Sequence, residues 1–231
     1  GEQLLQAQIE FGAILRLDVR IGDLGGERAQ AFSKPGPAIR IVQRLDSELA
    51  LPDHIDQENI VNAIDPRIDV DVLGQENANS FYHTEPRFIF PTAAAVVRVL
   101  ETIEKDITQQ NIVIVGEGQL VGKPVAHLLR QRGCTVTTIN RSTENPKDIT
   151  RSADILISAA GRDGLITGDM IHEDAILIDA GTSEADGGIV GDVDRLSVEP
   201  KAAVLSPVPG GVGPITVAML LHNVVLTAEQ R

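Results

Sequence analysis

Four short strand-like runs in the second half of the chain constrain its fold more than anything else in the sequence. They are Asn111-Ile-Val-Ile-Val115, residues 135–139, Asp154-Ile-Leu-Ile-Ser158 and Ala175-Ile-Leu-Ile-Asp179. Each is too short for a helix and is dominated by β-branched and leucine side chains. Strands of this kind are buried on both faces, as in parallel sheets covered by helices. Helices or turns separate them, so the pattern predicts an α/β protein with a parallel, doubly wound sheet. The chain has no Trp, one Tyr and five Phe, so its core must be aliphatic.

The first half is less regular. A strand is expected at 14–21, a short helix at 27–33 stopped by Lys34-Pro35-Gly36-Pro37, and a second strand at 39–42. Helices are expected at 56–64, with Asp56 as N-cap and Pro66 closing it, and at 92–104, with Thr92 as its cap. Further helices are expected at 124–132 and from 216 to about 228. The 231 residues suit one large domain or two small ones. The boundary is placed near residue 105. Residues 106–215 then form the second domain, and the C-terminal segment 216–231 returns to the first.

A net charge of -13 argues against a nucleic-acid partner, which needs a basic face. One cysteine, Cys134, leaves no internal disulfide framework and suits a reducing compartment. No apolar run is long enough to span a membrane, and the N-terminus lacks the pattern of a signal peptide. A cytoplasmic protein is the expectation. The five histidines show no metal-ligand spacing, so no metal is assigned.

Two loops carry the chemistry. The first, Val115-Gly-Glu-Gly-Gln-Leu-Val-Gly-Lys-Pro124, lies between a predicted strand and a predicted helix. That is where dinucleotide folds place phosphates, against helix N-terminal amides. Its G-x-G-x-x-x-G spacing is one residue longer than the common fingerprint. After the next strand, Arg141 occupies a place where an Arg accommodates a ribose 2′-phosphate, which leans toward NADP with NAD as the alternative. An exposed surface Arg is the plainer reading. Glu117 works the other way, because its charge repels a phosphate. The second loop, residues 207–216, reads Pro-Val-Pro-Gly-Gly-Val-Gly-Pro-Ile-Thr, and three prolines with three glycines specify one rigid shape.

These segments, with 135–143, 160–169, Asp179-Ala-Gly181 and Val190-Gly-Asp-Val193, follow one another in an order and spacing that resembles the bifunctional methylenetetrahydrofolate dehydrogenase/cyclohydrolase family. The resemblance is strong from about Asp56 onward. It implies two α/β domains around a cleft, with NADP on the second domain and the tetrahydrofolate substrate between them. It also implies a homodimer formed through the second domain. The implied reactions are oxidation of methylenetetrahydrofolate to the methenyl form and hydrolysis of that form to formyltetrahydrofolate.

Residue by residue, the resemblance makes Lys34, twelve residues after Gly22, the proton-transfer group. Gln30 stands where the family carries a tyrosine. The family's glutamine falls on Glu48, or with a small insertion on Gln43. Asp71 would hold the amino-pyrimidine edge of the pterin, and Val72 follows it where a glycine is usual. Thr92 would help line the cleft, preceded by Pro91 in place of a cysteine. Cofactor contacts fall on Gly116, Glu117, Gly118, Arg141 and Thr182. Substrate contacts fall on Asp71, Thr92, Pro209, Gly210, Gly211 and Thr216. Between Lys34 and Pro52 the chain is shorter than the family pattern. A relative impaired in catalysis, or a different two-domain NAD(P)-dependent dehydrogenase, are the alternative readings.

Overall fold

The four runs become the strands β1 (Ile112–Val115), β2 (Val136–Ile139), β3 (Ile155–Ser158) and β4 (Ile176–Asp179). Each starts one residue later than the sequence predicts. At β1 the reason is visible: the Asn111 amide donates to the Asp154 carboxylate (2.8 Å) instead of joining the ladder. The computed structural model describes residues 56–103, 105–185 and 188–229. The elements expected at 14–42 lie outside the described residues, as do Gln30, Lys34, Gln43 and Glu48. Chain contacts divide the molecule into two compact units, Gly1–Ile64 and Asp65–Arg231.

In the first unit the described part is helix α1 (Gln57–Asn62), capped as predicted by Asp56, whose side chain accepts from the amides of Glu58 and Asn59. The second unit opens with α2 (Gln75–His83) and α3 (Pro91–Leu100). Helix α2 has no strong apolar period and is absent from the sequence reading. The chain entering it is held by Asp69, which accepts from the amides of Leu73 and of the N-cap Gly74. Helix α3 corrects the expected cap: Pro91 is its first residue, Phe90 is the N-cap, and Thr92 lies within the first turn. Pro91 suits that place because it lacks an N–H that would go unbonded there.

After β1 the chain runs through α4 (Gly122–Gln131), β2, α5 (Pro146–Arg151), β3 and β4. It then forms an antiparallel hairpin, β5 (Ser183–Ala185) with β6 (Gly188–Val190), followed by α6 (Arg195–Val198), β7 (Val204–Leu205) and α7 (Val212–Ala228). The sheet order is β2-β1-β3-β4-β7, all parallel. Neither the hairpin nor β7 is legible in the sequence, because three- and two-residue strands are too short for a period. The order reverses direction between β1 and β3, the switch point at which open α/β sheets bind ligands.

The register makes the core. Ile112 aligns with Ile155 and Ile176, and Ile114 with Ile157 and Ile178. Side chains alternate across a strand, so these six isoleucines form two rows on one face, and all are fully buried. On the other face Val113, Leu156 and Leu177 pack with Ile166, Met170, Ile171 and Val198. Each such side chain contributes about 2 kcal/mol by leaving water. Helix α4 packs on β1 and β2, α3 on α4, and α7 along α3.

Helix α7 carries one buried polar anchor of its own. The Asn223 side-chain amide donates to the carbonyls of Val70 (2.7 Å) and Ile89 (2.9 Å), and Asn223 is buried. Asn223→Ala should strand both carbonyls and lower the unfolding free energy by about 2–4 kcal/mol, measured by urea denaturation. A loss below about 0.5 kcal/mol would show that the two bonds contribute little.

Candidate functional site

Because the strands are in register, Ile139, Val115, Ser158 and Asp179 stand in one row at the carboxyl edge of the sheet. The loops leaving that row enclose a cleft of about 730 Å³. Its walls include Gly116, Glu117, Gly118 and Lys123 on one side, Asn140 and Arg141 on another, and Ala159, Ala160 and Arg162 as the floor.

The three glycines of the first loop serve different ends. Gly116 has φ +104°, and any Cβ there would approach the Ala159 carbonyl to under 3.0 Å. A Cβ at Gly122 would meet the Gly116 carbonyl just as closely. Both glycines therefore let main chain pack on main chain. Gly118 has open space before it, so a ligand can approach the backbone there. Helix α4 begins beside it with no side-chain cap; in its first turn the Lys123 amide donates to the Gly118 carbonyl (3.1 Å) and Pro124 has no N–H, so the Gly122 amide is the first-turn donor that an anion can use. The residues thus fit a dinucleotide pyrophosphate at the start of α4.

Glu117 does not point its charge at that helix end alone. Its carboxylate accepts from the Thr138 hydroxyl (2.7 Å) and from the Asn140 side-chain amide. The Thr138 bond first, and then the Asn140 bond, favour the charged form and hold its pKa below the usual carboxylate range. The Asn140 side-chain oxygen accepts from the Ser142 amide (2.9 Å) and hydroxyl (2.7 Å), which orders the turn that carries the exposed Arg141.

The floor is fixed by residues to which sequence reasoning assigned no role. Asp192 accepts from the Ser158 hydroxyl (2.6 Å) and from the amides of Ala160 (2.7 Å) and Arg162 (2.6 Å). Asp179 accepts from the amides of Gly181 (3.0 Å), Asp192 (3.1 Å) and Val193 (3.1 Å). A Cβ at Gly181 would strike the Asp192 carboxylate, and one at Gly191 the Asp179 carboxylate. The sequence signal is a pair, Asp-x-Gly at 179–181 and Gly-Asp at 191–192. Desolvation pushes the Asp179 carboxyl up to about 6; the Asp192 charge adds to this and the three amides oppose it.

The remaining predicted residues lie elsewhere. Thr182 is exposed and is not among the residues lining the cleft. Asp69 is buried and occupied in holding α2, whereas Asp71 is half-buried. Val72, where a glycine was the family expectation, has φ +60° and is buried. A β-branched residue there is strained by about 1–3 kcal/mol, which accounts for the usual glycine. In the 207–216 loop the Val208–Pro209 peptide is cis and Gly210 has φ +105°. Gly210 is open to approach, but Gly211 is not: a Cβ there would strike the Pro207 carbonyl. Gly211 is the N-cap of α7, so the helix starts at Val212, four residues before the predicted Thr216. The Thr216 hydroxyl donates to the Val212 carbonyl (3.2 Å).

A parallel sheet with a glycine loop, an uncapped helix start and a cleft at its switch point defines a dinucleotide-binding α/β protein. Comparison with known proteins narrows this. Residues 91–231 match the family model described as tetrahydrofolate dehydrogenase/cyclohydrolase, NAD(P)-binding domain. The bifunctional protein FolD of Clostridium acetobutylicum is 42% identical over 177 residues, covering 77% of this chain and 64% of the relative. The crystal structure of the FolD methylenetetrahydrofolate dehydrogenase/cyclohydrolase from Campylobacter jejuni superposes with TM-score 0.73 at 39% identity, over 79% of this chain and 66% of that one. The Trypanosoma brucei FolD structure, complexed with NADP cofactor and inhibitor, gives 0.71 at 36% identity, over 83% and 71%. This chain belongs to the tetrahydrofolate dehydrogenase/cyclohydrolase family. It spans a little under two-thirds of the length of the first curated relatives it matches.

Two outcomes follow. Gly116→Ala should abolish detectable NADPH binding by titration calorimetry and lower stability by about 2 kcal/mol or more, since both its φ and the Ala159 carbonyl oppose a side chain. Asp179 has a folded value above its ordinary 3.8, so its contribution is full below that pH and is lost as pH rises through about 6. Relative to Asp179→Asn, the wild-type protein should lose about 3 kcal/mol between about pH 4 and about pH 7. A pH-independent difference in denaturation midpoints would contradict the raised value.

Proposed function

We propose that the protein oxidises methylenetetrahydrofolate to methenyltetrahydrofolate and hydrolyses the product to formyltetrahydrofolate. The observation that carries this is the family membership of a chain whose Gly116–Gly118–Gly122 loop and α4 start line a dinucleotide-sized cleft. Residues 1–105 form the folate and catalytic domain in this reading, with α7 returning to it, and residues 106–215 hold the nucleotide. The working form is a cytoplasmic homodimer.

A nicotinamide dinucleotide, NADP or NAD, held in this cleft would supply the hydride acceptor for oxidation of the folate methylene carbon. The chain's own part is to bind, orient and move protons. Gly118 and the Gly122 amide at the start of α4 receive the pyrophosphate. The Asp71 carboxylate accepts from the amino-pyrimidine edge of the pterin, and Thr92, Pro209, Gly210, Gly211 and Thr216 shape the substrate's surroundings. Thr182 contributes on the cofactor side. In the hydrolytic half, Lys34 relays the proton of the water that adds to the methenyl carbon, and the carbon–nitrogen bond to the ring then opens. Gln30 and Glu48 stand beside Lys34 in this scheme. A carboxylate at Glu48 favours the charged lysine, which opposes its use as a base.

The purified chain incubated with methylenetetrahydrofolate and NADP or NAD should generate reduced nicotinamide and then formyltetrahydrofolate. Lys34→Ala should lower hydrolytic turnover about 100-fold or more with nucleotide affinity changed less than about twofold. Gln30 in the tyrosine position favours a second reading, a nucleotide-binding relative impaired in catalysis. Nucleotide binding without turnover on either cofactor would select that reading over the first.

A further inference from the structure

The adenosine end of the cleft contains an anion in an unusual place. In dinucleotide folds that use NAD, an acidic residue at the end of the second strand accepts from the ribose 2′-hydroxyl. Here β2 ends without one: Ile139 is followed by Asn140 and Arg141. The carboxylate arrives from the glycine loop instead. Glu117 reaches across to the end of β2 and is tied at both oxygens, by the Thr138 hydroxyl and the Asn140 amide.

We propose that Glu117 is the specificity-determining residue of this subsite and selects the dinucleotide with a free ribose 2′-hydroxyl over the one carrying a 2′-phosphate. The proposal rests on the dinucleotide reading above and deepens it. An ionised carboxylate only accepts hydrogen bonds. A ribose hydroxyl donates one, whereas a phosphate brings more acceptors and like charge. Each carboxylate oxygen has a second lone-pair direction, so both tethers can stay in place while a hydroxyl is bound.

Arg141 lines the same cleft and would favour a phosphate. The two groups are not equally placed. Glu117 is held at two points, while Arg141 is exposed and has no ion-pair partner among the described residues. Gripping a phosphate would require that long side chain to give up its rotamer freedom. Glu117 makes no such concession, so the fixed anion decides the preference.

The test is titration of the full chain with NADH and NADPH, without folate, following nicotinamide fluorescence. Wild-type protein should bind NADH about tenfold or more tightly than NADPH. Glu117→Gln keeps the size and removes the charge, and should shift the NADPH-to-NADH affinity ratio toward NADPH by about tenfold. Arg141→Ala should weaken NADPH further and leave NADH within about twofold. Wild-type preference for NADPH would overturn the proposal while leaving the dinucleotide reading intact. So would an unchanged ratio in a Glu117→Gln protein with wild-type thermal midpoint. Binding of neither nucleotide would overturn both.

Discussion

The adjoining carboxylates of Asp179 and Asp192 hold the working edge of this molecule together. Asp179 accepts from two amides of the segment that carries Asp192, and Asp192 accepts from two amides of the loop that floors the cleft. Two like charges buried side by side repel, and the structure counters this with six donors: five amides and the Ser158 hydroxyl. Ser206 ties the next strand into the same cluster, its hydroxyl accepting from the Asp179 amide (2.7 Å). The loops after β3, after β4 and before α6 are thereby cross-braced by hydrogen bonds alone, with no disulfide and no metal-holding cluster of side chains among the described residues.

How much of this was legible depends on length and on partners. Strands β1, β3 and β4 declare themselves because four consecutive residues buried on both faces leave a mark that single positions do not, and the edge strand β2 shows through its β-branched run of Val and Thr. β7 and the β5–β6 hairpin leave none, being set by the neighbours they pair with. The Asp56 cap was visible because a cap is a local bond between residues two and three apart. Helix α2 was not, since its start is held by Asp69 across a loop and its apolar contact rests chiefly on the buried Phe81. The end of the 207–216 loop was misplaced for a related reason. Gly and Pro signal a break, yet Gly211 and Pro214 here sit at the cap and in the first turn of α7, where both residue types are tolerated.

The site divides along the same line. Gly116, Glu117, Gly118 and Arg141 come together around one cleft, as the strand–loop–helix pattern implied. What the pattern hid was direction. A glutamate in a phosphate loop reads as a repulsion at the pyrophosphate until Thr138 and Asn140 are seen to draw it to the end of β2. Likewise the glycines of both loops read alike in sequence. In space Gly116, Gly122 and Gly211 accommodate the chain's own backbone, while Gly118 and Gly210 face open space.

That stacking has a mechanical consequence. From the start of α4 through the Gly116 turn to the Ala159 carbonyl, three chain segments meet main chain to main chain, with no side chain between them. A side chain at such a junction can absorb a small displacement by changing rotamer; bare backbone cannot. Pressure on the helix end from a bound phosphate is therefore passed undamped to the 159–162 floor, and the two walls of the cleft behave as one stiff part.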